Sequence, residues 1–139
     1  MNDIVTLMIK MYETYEYDWM NYKIDNEDVT FHHILKEELG GKYTIDNGAL
    51  LTKRAHEYLH LIERFDVDIY EKINNVLKDI NTQEHAPNYK QKKKIDLLLL
   101  EFEIKYASEF IKLKKMSNKK KTTIATNNRL QSQKQRKKY

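Results

Sequence analysis

The 139 residues are 40% hydrophobic and 33% charged, with no cysteine. That suffices for one domain with a modest core, and it excludes disulfides, thiol nucleophiles and cysteine-type zinc sites. The net charge of +4 is split unevenly: residues 1–85 hold 9 Lys and Arg against 17 Asp and Glu, and residues 86–139 hold 16 against 4, the pattern of an acidic folded part with a basic arm.

Residues 3–18 predict an amphipathic helix, with Ile4, Leu7, Met8, Met11 and Tyr15 recurring at helical spacing as its core stripe. A polar, irregular stretch follows to residue 28. Val29 to Leu35 is short and rich in β-branched and aromatic residues, which predicts a strand. Gly40-Gly41 then breaks the chain. Thr44-Ile45 and Ala49-Leu50-Leu51 bracket Asp46-Asn47-Gly48, a turn signal beside or within a second strand. Thr52 is a candidate N-cap for a helix from Lys53 to about Phe65. Asp68 with Glu71 resembles a capping box opening a further helix through Ile80. Asn81 to Asn88, with the only proline, predicts a linker. A long helix is expected from Tyr89 to Met116, with Ile95, Leu98, Leu99, Phe102 and Tyr106 as its buried stripe. Its apolar run Leu97 to Leu100 is flanked by Asp96 and Glu101 and falls far short of the ~20 residues a membrane span needs.

From Ser117 onward Lys, Asn, Gln, Thr and Ser dominate. Such a tail buries too little surface to offset the entropy of ordering and is expected to be disordered. The basic C-terminal half attracts polyanions, of which nucleic acid is the commonest in a cytoplasm, and Lys112 to Lys138 would supply non-specific backbone affinity that weakens steeply with salt. The alternative is a solubilising tail. Met1-Asn2-Asp3 lacks the basic start and apolar stretch of a secretory signal, so a cytoplasmic location with no membrane contact is expected.

Four of the five histidines fall between positions 32 and 60, as His32-His33 and as His56-Glu57-Tyr58-Leu59-His60. The second pair has i, i+4 spacing on a predicted helix, so both imidazoles point the same way and suit two ligands of one metal. The first pair lies on a predicted strand, where neighbours point to opposite faces. One of the two can therefore bind while the other works nearby from a different direction.

In these residues the chain resembles the HNH, or ββα-metal, endonuclease superfamily. The matching features are Phe31-His32-His33-Ile34, Gly40-Gly41, Asn47-Gly48-Ala49-Leu50-Leu51, and His56 through His60. The double His with HxxxH looks like the three-histidine branch known from colicin-type DNases, and Phe31 to Phe65 looks like small HNH-type proteins of phages and bacteria. The resemblance implies that His32, His56 and His60 ligate one divalent cation, that His33 is the general base, and that Asn47 stabilises the loop orienting His33. Many family members carry Asp where His32 stands, and many have a cysteine-type structural zinc that this chain lacks.

The expected fold is α+β and mostly helical: a ββα-metal hairpin and helix flanked by amphipathic helices, with a basic C-terminal tail. Residues 1–116 would form one domain with its core motif at 29–65, and residues 117–139 the tail. The implied function is metal-dependent hydrolysis of DNA phosphodiesters, with RNA as a second possible substrate. Neutral imidazoles suit Zn, Ni or Mn better than Mg, although Mg serves where phosphate completes the shell. Sequence specificity would come from a protein partner or be absent.

Two competing readings differ in class. A catalytically degenerate HNH-like module would bind metal only to hold its fold, and the acidic first 85 residues favour it. His56-Glu57-Tyr58-Leu59-His60 also fits the HExxH helix of zinc proteases, with Glu57 activating water and Glu84 or His85 as third ligand. That reading leaves His32, His33 and Asn47 unexplained.

Overall fold

The computed structural model describes residues 3–25 and 28–109. The chain divides into two units, residues 1–99 and 100–139. The expected domain boundary at Met116 and the tail from Ser117 lie outside the described residues. The first unit is α+β and mostly helical, with one two-stranded antiparallel hairpin.

Helix α1 spans Asp3–Met11 and ends well short of the predicted residue 18. Glu13 turns left-handed at φ 52°, and the Thr14 N–H bonds the Ile9 carbonyl at 3.0 Å while the Tyr12 N–H bonds that of Met8 at 2.9 Å. This reversal satisfies the last carbonyls and stops the helix. The predicted stripe is corrected with it: Val5, Met8 and Tyr12 are buried, whereas Leu7, Met11 and Tyr15 are exposed. The reversal sets Tyr12 edge-on to Trp19, centroids 4.8 Å apart. The Tyr12 hydroxyl donates to the Asn81 carbonyl at 2.6 Å.

The segment after α1 is anchored by one buried carboxylate. Asp18 Oδ1 accepts the N–H groups of Met20 and Tyr22, each at 2.9 Å, and Oδ2 accepts that of Thr52 at 2.7 Å. Burial pushes its pKa up to about 6, opposed by hydrogen bonds from Thr52, Tyr22 and Met20.

Strand β1 (Val29–His33) pairs with β2 (Gly48–Thr52) in a register that sets Thr30 opposite Leu51, His32 opposite Ala49 and His33 opposite Gly48. β1 ends two residues before the predicted Leu35, because the Ile34 N–H turns to the Asn47 carbonyl at 2.9 Å. A short 3-10 turn, Glu37–Leu39, leads to Gly40 at φ 94°. At Gly41 a Cβ would lie 1.7 Å from the Leu35 carbonyl oxygen, so only glycine lets the loop close there. A second 3-10 turn, Ile45–Asn47, enters β2, whose five residues are all buried.

Helix α2 spans Lys53–Phe65, as expected, and Thr52 caps it by accepting the Ala55 N–H at 3.2 Å. Helix α3 runs Val67–Gln83. Its cap is Asp66, which accepts the Ile69 N–H at 3.1 Å; the predicted cap, Asp68, lies in the first turn instead. Asp66 wins because its extended backbone can present the carboxylate to the free N–H groups. α3 also continues into the predicted linker. Asn81 is buried and donates to the carbonyls of Ile45 and Gly48 at 2.7 and 2.8 Å, and the helix stops only at left-handed Glu84. α2 and α3 pack on each other and on the hairpin, which also contacts α1. Helix α4 spans Tyr89–Lys105 and gives way to a turn at Tyr106, short of the expected Met116. Of its predicted stripe Ile95 and Leu99 are buried, whereas Leu98 and Tyr106 are only half-buried, and the residues after Glu109 lie outside the described ones. Among the described residues no helix is long and apolar enough to cross a membrane.

Asp18→Ala strands three buried N–H groups at once. The expected cost is about 3 kcal/mol or more, read as a lower urea midpoint at unchanged slope.

Candidate metal centre

Strand alternation separates the two adjacent histidines. Thr30 and His32 face α2; Phe31 and His33 face the other way, against Tyr43. His32 is 2% exposed, with the small Ala49 as its cross-strand partner. On α2, Ala55, Leu59 and Ile62 are the buried anchors, and His56 and His60 stand one turn apart beside them. Their rings stack at 4.9 Å and 28°. The His32 ring lies 5.3 Å from that of His56 and 6.1 Å from that of His60. One ring nitrogen from each of the three lies within 4.8 Å of the others.

The second nitrogen of each ring is committed elsewhere, and the partners decide the tautomers. Asn74 donates its Nδ2 to the Ile34 carbonyl at 2.7 Å, which fixes its amide orientation. Its Oδ1, 2.9 Å from His32 Nε2, must therefore accept, and His32 Nε2 carries the proton. The Thr30 hydroxyl spends its proton on the Leu51 carbonyl at 2.8 Å. Its oxygen, 2.9 Å from His56 Nδ1, is thus left to accept. Glu63 Oε1 lies 3.4 Å from His60 Nδ1, and a carboxylate accepts only. Lone pairs therefore remain on His32 Nδ1, His56 Nε2 and His60 Nε2. Oxygen acceptors behind the ligating imidazoles are the usual support of a histidine metal site.

Electrostatics keeps two of the rings neutral. Burial lowers the His32 pKa to about 4, against the Asn74 hydrogen bond and aided by His56, His60 and His33. Burial lowers His56 to about 4 as well, with His60 and His33 adding. Burial raises the Glu63 carboxyl, but hydrogen bonds from Lys36 and His60 outweigh it and hold the group below the usual carboxylate range. Glu63 Oε2 is ion-paired with Lys36.

The donor set fits a divalent cation. A three-imidazole set suits borderline ions such as Zn, Ni or Mn. The cluster opens on a cavity of about 780 Å³ lined by Phe31, His32, His33, Lys36, Glu37, Glu38, His56, His60, Glu63 and Tyr70. His33 thus lines the same cavity from the other side of β1, stacked on Tyr43 at 6.1 Å and edge-on to Phe31 at 4.9 Å. Asn47 clamps the chain just beyond it. Its Oδ1 accepts the Leu35 N–H at 2.8 Å, and its Nδ2 donates to the carbonyls of Leu35 and Lys42, each at 3.0 Å. Glu57 is exposed and does not line the cavity, and His85 is bonded to the Ala86 carbonyl at 2.9 Å.

Sequence reasoning brought together His32, His33, Asn47, His56 and His60. It missed Thr30, Asn74 and Tyr70. Thr30 was within reach, two residues from His32 on one strand face. Asn74 and Tyr70 arrive from α3 across a long sequence separation and carry no local signal. Comparison with protein-family models, curated proteins and solved structures finds no match to this chain.

One cation per chain is expected in a competition titration with a chromophoric chelator. His56→Ala should abolish tight binding, and Thr30→Val should weaken it roughly 10- to 100-fold. The metal-free protein should also respond to acid. A histidine whose folded pKa lies below its unfolded value contributes nothing unfavourable above pH ~6.5 and destabilises as pH falls toward its folded value. Asp18, with a raised folded pKa, acts in the opposite sense. The drop in urea midpoint between pH 6.5 and 4 should therefore be smaller in His32→Gln than in the unmodified chain.

Proposed function

We propose that this chain is an HNH-type, ββα-metal endonuclease that hydrolyses phosphodiester bonds of DNA with one divalent cation. The observation that carries the reading is the convergence of three tautomer-locked imidazoles, one from a hairpin and two from the next helix, with a fourth imidazole lining the same cavity. A bound cation would supply charge neutralisation at a non-bridging and a leaving oxygen. His32, His56 and His60 would hold it. His33 would take a proton from the attacking water, a step for which imidazole is suited near neutrality. Asn47 would hold the end of β1, and hence His33, in place. Zn, Mn, Ni and Mg are all candidates as the ion.

Charge supports the need for the cation. Lys36 against Glu37, Glu38 and Glu63 leaves the cavity two charges negative when the imidazoles are neutral. A phosphodiester would be repelled until a divalent ion cancels that excess. Affinity for the polyanion would come from outside the cavity. Lys90, Lys93 and Lys94 are exposed lysines on α4, and the basic C-terminal residues lie outside the described ones. RNA carries the same backbone charge and is the alternative substrate; a protein partner would supply sequence specificity.

The acidic lining also favours a second reading, a metal-binding nucleic-acid interaction module without catalysis. The protease reading has no such support, because Glu57 is exposed and lies outside the cavity lining.

Purified protein incubated with supercoiled plasmid and Mn, Ni, Zn or Mg separates the two. The nuclease nicks only with metal, and His33→Ala loses about 100-fold or more in rate while its metal affinity stays unchanged. Metal binding with no nicking by the unmodified chain establishes the module instead.

A further inference from the structure

One polar atom of a cavity-lining residue has no role in the account above. Tyr70 on α3 is 5% exposed, and its hydroxyl is buried without a hydrogen-bond partner. It is the sole such side-chain atom among the described residues. An unpartnered buried hydroxyl costs free energy and calls for a reason, such as a functional role or a water, ion or ligand that completes it. Tyr70 lines the cavity that holds the three imidazoles, with its ring 6.5 Å from that of His32. Burial, with Glu63 and Glu71 adding, pushes its pKa up to about 12. The hydroxyl thus keeps its proton and can donate it to an acceptor.

Lys36 supplies the second half of the arrangement. It is the only Lys or Arg among the described residues lining the cavity, and its ammonium stands 5.9 Å from the Tyr70 ring centre. Lys36 is paired with Glu63 and, loosely at 3.9 Å, with Glu38, which is largely exposed. An ammonium has three donors, so the Glu63 pair leaves capacity for another oxygen.

We propose that Tyr70 and Lys36 form an anion subsite that holds a non-bridging oxygen of a phosphodiester beside the three-histidine cluster. The acceptor must be anionic and oxygen-rich to use both a phenol donor and an ammonium, and it must arrive with the cation, since the cavity alone is negative. This rests on the phosphodiester reading of the site.

The test is equilibrium dialysis of the full chain, loaded with Mn, against dithymidine phosphate, which carries one phosphodiester. Tyr70→Phe removes only the hydroxyl. It should weaken dinucleotide binding about five- to tenfold, leave Mn affinity unchanged, and keep or raise the urea midpoint of the free protein. The neutral methylphosphonate dinucleotide should bind weakly and equally to both proteins. Equal dinucleotide affinity in the two proteins, no binding by the unmodified chain, or a lowered midpoint in Tyr70→Phe overturns the subsite; the last would mean the hydroxyl already has a partner. The two readings fail separately. Plasmid nicking with unchanged dinucleotide binding in Tyr70→Phe removes the subsite alone. Weakened binding without nicking removes catalysis alone.

Discussion

Each imidazole in the cluster has one nitrogen occupied by an oxygen that is free only to accept. Asn74 is oriented by the Ile34 carbonyl, Thr30 has given its proton to Leu51, and Glu63 has no proton to give. The proton of each ring is thereby drawn to the nitrogen that meets its oxygen partner, and the other nitrogen keeps its lone pair. Histidines placed at random would gain little from lying so close, since protonation of any one repels the rest. Burial settles the matter for His32 and His56 by making the charged form costly. Two of the three rings are thereby held neutral, which leaves their lone pairs open to a cation.

That arrangement depends on the phase of two elements. β1 must place Thr30 and His32 on one face, and α2 must begin so that its fourth and eighth residues point at that face. Thr52 sets both. It closes the hairpin register opposite Val29 and caps α2 through Ala55. Its own N–H is held by Asp18, a residue more than thirty positions earlier. The buried carboxylate is therefore tied to the site through two hydrogen bonds and one helix start. Asn47 performs a similar service at the opposite end of the hairpin, where it fastens the loop after His33.

The local part of this was readable from the residues. HxxxH on a capped helix, two histidines on a short β-rich run, and an Asn-Gly turn between them carry their geometry in their spacing. The bounds of α2 and its Thr52 cap follow for the same reason. The failures share a cause too. The spacing of Ile4 to Tyr15 fitted a longer helix, but Glu13 in a left-handed conformation and the demand of the Tyr12–Trp19 contact ended it early. Asp68 was a sound capping residue beaten by Asp66, whose backbone was already extended. Asn81 looked like the start of a linker because an Asn is polar; two carbonyls of the hairpin hold it buried at the end of α3 instead. Asn74 and Tyr70 came from the same helix, and no local rule connects α3 to β1.

The centre of the account is that His32, His56 and His60 bind a single ion together. X-ray absorption at the cobalt edge of the Co(II)-loaded full chain measures this directly. Three imidazole nitrogens per cobalt are expected, falling to two in His32→Gln. A spectrum dominated by oxygen ligands, or one that His32→Gln leaves unchanged, would contradict it.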